Sequence, residues 1–282
     1  MKYHTNQIKN LPWFKDYRQR LANTALPDSF VCQFEVDGRK FWLKHAGEEK
    51  SRWIHHLLRW LSKPRLLSWA NSHAWMAPEQ RLQQEVRQLL SLSMQNLPVI
   101  KITSFNATGF VTRDAGINAK QALQQSDNKR ALLRDIFKAL AKLHRAGVVH
   151  GRPALRDIAV DNWGKVTFMD FEESPPRASP QLMARDAIIL LNECYRIDDI
   201  RREHVHAAFS AWRKHTRRQA WHATECCARW LIRLLVWPAN LMACTSKKPR
   251  RQRLSRALDS LAQLTRSPVQ QSLNRCALPF GF

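Results

Sequence analysis

Glycine is scarce, with only 8 in 282 residues. No long Ser/Gly linker, low-complexity tract or internal repeat breaks the chain, which excludes flexibly joined modules and solenoids and leaves one body. The six cysteines, Cys32, Cys194, Cys226, Cys227, Cys244 and Cys276, contain no CxxC pair. A zinc knuckle or thioredoxin-like motif is therefore not expected, and the cysteines read as reduced and structural. His222 with Cys226 and Cys227 has no matching second pair, so helical packing is a better reading than a metal site. The first residues, MKYHTNQIKNLPWF, have no continuous apolar run, so a secretory signal is not expected. The longest apolar stretch, Cys226 to Cys244, is interrupted by Arg229, Arg233 and Pro238, which argues against a membrane-spanning helix. Tyrosine is sparse, and no RNA-binding motif is present.

Acidic residues are also in short supply. Lys and Arg outnumber Asp and Glu by 46 to 23, a net charge of +23. Such an excess calls for a polyanionic neighbour: nucleic acid, anionic lipid or a phosphorylated substrate. It is concentrated late in the chain. Between Ile200 and Arg256 there are 14 Lys or Arg against Glu203 and Glu225, with Lys247 to Arg253 the densest run. A solvated basic surface accounts for the charge equally well.

The pattern of residues is mixed. Residues 1–28 read as an arm with a short helix around Trp13 to Leu21. Phe30 to Lys44 alternates apolar and polar residues about Asp37-Gly38, a two-residue hairpin signal. Trp53, Ile54, Leu57, Leu58, Trp60 and Leu61 give a helical face. Pro78 opens another helix, with Leu82, Val86, Leu89 and Leu90 as its buried stripe and Glu85 on the flank. Val99–Thr103 and Gly109–Thr112 read as strands, and Arg113–Gly116 is a connector after them. Asn128 to Ala146 is helical and stops at Gly147. Prolines 175, 176 and 180 mark a loop before a helix over 181–195, and the remainder is helical and basic.

The chemistry is carried by Val148 to Ser174. It reads as a short strand, a polar loop, a hairpin and an apolar strand ending Asp170-Phe171-Glu172, with Asp157 and Asp170 on loops at either side of the hairpin. Magnesium takes hard oxygen ligands, and phosphoryl transfer needs a metal, a cation on the phosphates and an oriented acceptor. Asp157 and Asp170 are the metal candidates, Lys44 the cation, and Glu85 the residue that orients Lys44. Contact of Lys44 with Glu85 or Asp170 is the expected signature.

The same order of elements occurs in protein kinases as His-Arg-Asp, four residues, Asn, a hairpin and Asp-Phe-Gly. More specifically, Leu143 to Gly151, then Val166 to Glu172, resembles the bacterial lipopolysaccharide kinase family. These are the Kdo and heptose kinases, grouped with small atypical kinases such as the RIO and KEOPS kinases. Phe110 to Gly116 looks like that family's hinge, and Asp186 like the aspartate that braces the catalytic loop. The resemblance covers roughly residues 29–200 and is strong from 110 to 190. It implies an α+β, two-lobed protein-kinase-like fold with a basic helical C-terminal extension. The lobes divide as a small lobe over 29–115, a helical lobe over 116–245 and a basic tail over 246–282.

By that resemblance Asp157, Asp170 and Arg152 occupy the catalytic positions, and Lys44, Glu85 and Asp114 those that bind the nucleotide, with ATP and Mg²⁺ as cofactors. The departures are specific. Arg152 follows His150-Gly151 where the family has Asp, Asp157 replaces the metal-binding Asn, and no Gly-rich loop precedes Lys44. Arginine stays protonated and cannot act as a base. Asp161 and Glu172 are the nearest carboxylates in sequence that can substitute. An ATP- and Mg²⁺-dependent phosphotransferase acting on a sugar of a cell-envelope lipid is the preferred reading. A kinase-like protein that has lost catalysis and binds anionic membrane or a partner is the alternative, and a protein- or RNA-linked kinase a third.

Trp53, Trp60 and Trp69 lie among Arg52, Arg59, Lys63 and Arg65, and Trp230 and Trp237 beside Arg229 and Arg233. That mixture suits a lipid headgroup interface, although for most of these Trp residues filling the core between the lobes is the better reading. The expected partner is anionic membrane lipid or a lipid-linked sugar, ahead of nucleic acid. The expected place is the cytoplasm, peripheral to the inner membrane.

Overall fold

The computed structural model describes residues 31–46, 77–106, 109–175, 177–245 and 249–265, with the side chains of 236–251 left aside. The expected helices around Trp13 and over Trp53–Leu61 lie outside these residues.

The Asp37-Gly38 turn, both residues at positive φ, joins β1 (Val31–Val36) to β2 (Arg39–His45) as an antiparallel hairpin. β2 pairs in turn with β4 (Gly109–Arg113), and β4 with β3 (Ile102–Phe105), giving the order β1-β2-β4-β3. Alternation sorts the side chains of β2. Leu43 turns to a small core with Val111, Phe34 and Phe41, while Lys40, Trp42 and Lys44 face the cleft. Helix α1 (Pro78–Met94) begins at Pro78, whose missing N–H costs nothing there, and buries Leu82, Val86, Leu89 and Leu92.

A hinge over 114–116 leads to β5 (Ile117–Asn118), which pairs with the hairpin β6 (Ile158–Val160) and β7 (Val166–Phe168). Gly116 is needed here: at φ +104° a Cβ would lie 2.1 Å from the Val160 carbonyl oxygen. Helix α2 (Ala119–Gln125) comes directly after β5. It is absent from the sequence-based expectation, although Asn118 and Gln121 are a legible capping pair: the Asn118 side chain accepts from the Gln121 N–H at 3.0 Å. Around the second sheet stand α3 (Lys129–Arg145), α4 (Pro180–Cys194), α5 (Arg202–His215), α6 (Arg218–Thr245) and α7 (Pro249–Thr265). The main core runs through both parts, from Leu89 and Phe110 to Phe137, Leu190, Phe209 and Trp212. The architecture is the expected α+β, two-lobed one, with a four-stranded sheet in one part and a three-stranded sheet among helices in the other.

Some elements differ from expectation. Val99 and Ile100 do not belong to the four-stranded sheet. The Phe168 N–H donates to the Pro98 carbonyl at 2.8 Å, and the Ile100 N–H to the Phe168 carbonyl at 2.9 Å. This segment therefore extends β7 and ties the lobes together, and β3 starts only at Ile102. Val148–His150 is not a strand, because a buried carboxylate takes the His150 amide. Pro180 is the first residue of α4 rather than part of the loop, and the Ser179 hydroxyl caps that helix. Residues 249–265 form a helix packed on the body, with Ala257, Leu258 and Leu261 buried. Among the described residues no helix is long and apolar enough to cross a membrane.

Candidate functional site

Lys44 stands at the centre of the cleft between the sheets. Its ammonium donates to both Glu85 carboxylate oxygens, at 3.0 and 2.8 Å, and to Asp170 Oδ1 at 2.7 Å. The contact expected from sequence is met on both sides. Burial opposes charge on Lys44, but Glu85 and Asp170 outweigh it and hold the ammonium above the usual lysine range. Glu85 is 1% exposed. Burial pushes its carboxyl up, against the pull of Lys44. Its Oε1 also accepts the Phe171 N–H at 3.1 Å. Glu85 flanks the apolar stripe of α1, as expected, and its carboxylate is buried against Lys44.

Asp170 has φ +57°, a left-handed conformation that costs a non-glycine residue and turns its carboxylate toward Lys44. Burial disfavours its charge, yet Lys44, by charge and hydrogen bond, brings the carboxyl below the ordinary carboxylate range. Asp157 ends a single 3₁₀ turn (Leu155–Asp157) that enters β6. Burial first, then Asp170, pushes its carboxyl up, while Arg156 Nε lies 3.4 Å from its Oδ1. The two carboxylates are thus close enough to repel, and Asp157 has only the exposed Arg156 beside it where Asp170 has the buried Lys44.

The loop that begins at His150 is held from behind by a buried relay. The Asp186 carboxylate, fully buried, accepts the His150 N–H at 2.7 Å and the Gly151 N–H at 3.1 Å. His144 Nε2 lies 3.4 Å from the same carboxylate, while its Nδ1 accepts the Trp212 indole N–H at 3.0 Å. That indole bond fixes the tautomer, with the proton on Nε2 facing Asp186. Arg185 donates to the Gly151 carbonyl at 2.7 Å. Gly151 cannot be replaced freely: its φ is +101° and a Cβ would lie 2.2 Å from the Glu173 carbonyl oxygen. His150 is structural, donating from Nε2 to the Met169 carbonyl at 2.7 Å, with its ring 4.7 Å from that of Phe171.

Arg152 is half exposed, and its guanidinium lies 3.5 Å from Glu173. The two substitutes for a base are otherwise engaged. Asp161 turns away into the β6–β7 turn, where its Oδ1 accepts the N–H groups of Trp163 and Lys165 at 3.0 and 2.8 Å. Glu172 is bound by Arg81 of α1. Sequence reasoning missed this last pair. Arg81, Glu85 and Gln88 form a polar stripe at helical spacing, and they engage Glu172, Phe171 and Ser174 in turn. The signal was present as a polar row beside the apolar one.

The cleft has a volume of about 1020 Å³ and includes Lys44, Glu85, Asp157 and Asp170 with the apolar side chains of Ile100, Phe110 and Met169. Asp114 sits at its rim and accepts the Trp42 indole N–H at 2.7 Å. Asp157 and Asp170 are hard oxygen donors suited to a divalent cation. Among the described residues no three His, Cys, Asp or Glu gather as a metal cage, so any ion here would complete its shell with phosphate or water. His222, for its part, contacts Glu225 at 3.2 Å and Arg218 at 3.3 Å.

No protein-family model matches the chain. An uncharacterized protein of Haemophilus influenzae is 30% identical over 213 residues, which are 74% of this chain and 80% of that protein. The chain belongs to that protein's family. Among solved structures, the bifunctional kinase-methyltransferase WbdD matches with 12% identity and a TM-score of 0.38, over 73% of this chain. The chain spans about half the length of that structure, 49%.

Proposed function

We propose that this protein binds a magnesium-nucleotide in the cleft and transfers its terminal phosphoryl group. One observation carries the reading: a single buried lysine is pinned between a helix glutamate and the carboxylate of an Asp-Phe loop, with a second aspartate, Asp157, nearby. Asp157 and Asp170 would hold the metal, and Lys44 would neutralise phosphate charge once drawn from Asp170. Glu85 keeps Lys44 in place. The metal, when bound, offsets charge on the phosphate oxygens. The relay through Asp186 holds the loop so that Asp157 does not drift. Asp114 and the hinge border the apolar end of the cleft, where a base would sit.

The acceptor in this reading is a sugar of a cell-envelope lipid at the cytoplasmic side of the inner membrane, as in the lipopolysaccharide kinases that the catalytic segment resembles. The basic, Trp-containing helices support an anionic membrane as the partner, ahead of nucleic acid. Arg152 favours a second reading, in which the protein binds nucleotide and membrane without turnover. Arg152 stands where the lipopolysaccharide kinases have Asp, and Asp161 and Glu172 are both engaged.

Magnesium-dependent nucleotide binding, followed by phosphate transfer to core lipopolysaccharide, tests both. Asp170→Ala should abolish the magnesium-dependent component and Asp157→Ala should weaken it. Unchanged affinity in both variants overturns the nucleotide reading. Binding without transfer selects the second reading.

A further inference from the structure

A second cavity of about 850 Å³ opens on the helical lobe, away from the nucleotide cleft, between α4, α6 and α7. Its walls are Ile188, Leu191, Trp230, Leu231, Leu258 and Leu261, with few polar groups. Apolar cavities of this size commonly hold a ligand rather than stand as packing faults. Its border is cationic. Arg185 lines it directly, and no Asp or Glu does. Arg218 leans to His222 at 3.3 Å and Arg229 to Cys226 Sγ at 3.3 Å, both recipients being lining residues. Arg233 is exposed one turn beyond Arg229 on the same side, and Leu234 and Leu235 are exposed beside it. Glu225, bonded to His222, is the acid on this border.

We infer that this groove takes an acyl chain of an anionic lipid, with the headgroup held by Arg218, Arg229 and Arg233. The charge selects the occupant. An apolar partner helix would gain nothing from a border of arginines, whereas an amphiphile with one apolar chain and a negative head satisfies wall and border together. Each methylene that enters adds to the binding, and each arginine near the leaflet adds electrostatic attraction. The groove also meets the catalytic loop, because Arg185 lines it and donates to the Gly151 carbonyl. A lipid seated there would lie directly behind the loop. The inference deepens the membrane reading by giving it a site, and it does not depend on phosphoryl transfer.

Cys226 provides the test, as an exposed free thiol on the groove wall. The full chain is treated with a maleimide, with and without vesicles of phosphatidylglycerol or of phosphatidylcholine, and labelling at Cys226 is followed by peptide mapping. Phosphatidylglycerol should slow labelling about tenfold and phosphatidylcholine should not, since the arginines need a negative head. Cys226→Trp, which fills the groove from its open side, should weaken phosphatidylglycerol binding about tenfold, the equivalent of withdrawing roughly two methylenes. Arg229→Glu with Arg233→Glu should weaken it as well. Magnesium-nucleotide affinity, measured on the same variants, should stay unchanged, which separates this inference from the reading of the cleft. Vesicle binding that leaves Cys226 equally reactive would show a surface attraction without insertion and overturn the proposal. So would a thiol already shielded without lipid, which would mean that a segment of this chain or a second copy fills the groove.

Discussion

Removing the central cation tests the site most directly. Lys44→Met keeps the length of the side chain but leaves Glu85, 1% exposed, as a buried carboxylate with only the Phe171 N–H for support. Breaking a buried ion pair by deleting one partner costs about 3–5 kcal/mol. Asp170 is 36% exposed, so water screens its share and the lower end, about 3 kcal/mol, is expected. For a chain of this size that corresponds to a melting temperature lower by roughly 6–12 °C. The loss should depend on pH with a definite sign. Without Lys44 the folded Glu85 carboxyl rises far above its unfolded value, so the native state binds the extra proton. Stability of the variant should therefore recover as pH falls from about 7 toward the unfolded glutamate value of about 4.3. Urea melts at pH 7 and near pH 5 measure both quantities. Added Mg²⁺ should stabilise the variant more than the parent, because the Asp170 carboxylate then has no ammonium competing with the ion. A loss under about 1 kcal/mol that does not shrink at low pH would mean that the pair is not buried and the cleft is wrongly assembled.

The other expectations rest on individual contacts. Asp157→Asn should stabilise the metal-free protein at neutral pH, since burial and Asp170 make its charge unfavourable. Because that folded carboxyl is raised, the advantage should fade as pH drops through the folded value to the ordinary aspartate value near about 3.9, where both proteins are neutral at this site. A gain that persists in acid would contradict the assigned cause. Asp186→Ala removes the acceptor for two buried loop amides and should destabilise by about 3 kcal/mol or more, with loss of nucleotide affinity; chemical denaturation checks the first and calorimetry the second. Gly116→Ala forces a Cβ against the Val160 carbonyl, and should lower stability by about 1–3 kcal/mol and weaken nucleotide binding at the hinge. Arg152→Asp combined with Glu173→Gln puts a carboxylate after His150-Gly151 and removes its repelling neighbour. If a missing base limits transfer, the rate should rise about 100-fold, and an unchanged rate would show that proton removal is not what Arg152 costs.

The parts of the molecule that were legible are those where one local rule decides. Asp37-Gly38 fixed the first hairpin because two successive residues there must adopt positive φ. Gly147, also at positive φ, ended α3, and Pro78 began α1. Lys44 is 41 residues from Glu85 and 126 from Asp170, yet their meeting was foreseeable from the strand-end position of Lys44, the helix position of Glu85 and the resemblance of the segment to kinases. What escaped was settled by partners distant in sequence. Val148–His150 has the composition of a strand, but Asp186 takes the His150 amide. Val99 and Ile100 have the β-branched side chains of a strand in the upper sheet, but their segment bonds instead to Phe168 of the lower one.

The substitutes for the missing base failed for a related reason. Proximity in sequence placed Asp161 and Glu172 near the loop, while hydrogen bonding gave one to a turn and the other to Arg81. Glu172 is the more instructive of the two. A glycine in its place would leave the segment after Phe171 free to pivot, whereas the pairs Arg81–Glu172, Glu85–Phe171 and Gln88–Ser174 fasten it to α1 along three contacts. The loop carrying Asp170 is therefore held in one position by the same helix that holds Lys44. The three contacts thus keep the Asp170 carboxylate turned toward Lys44 in the cleft.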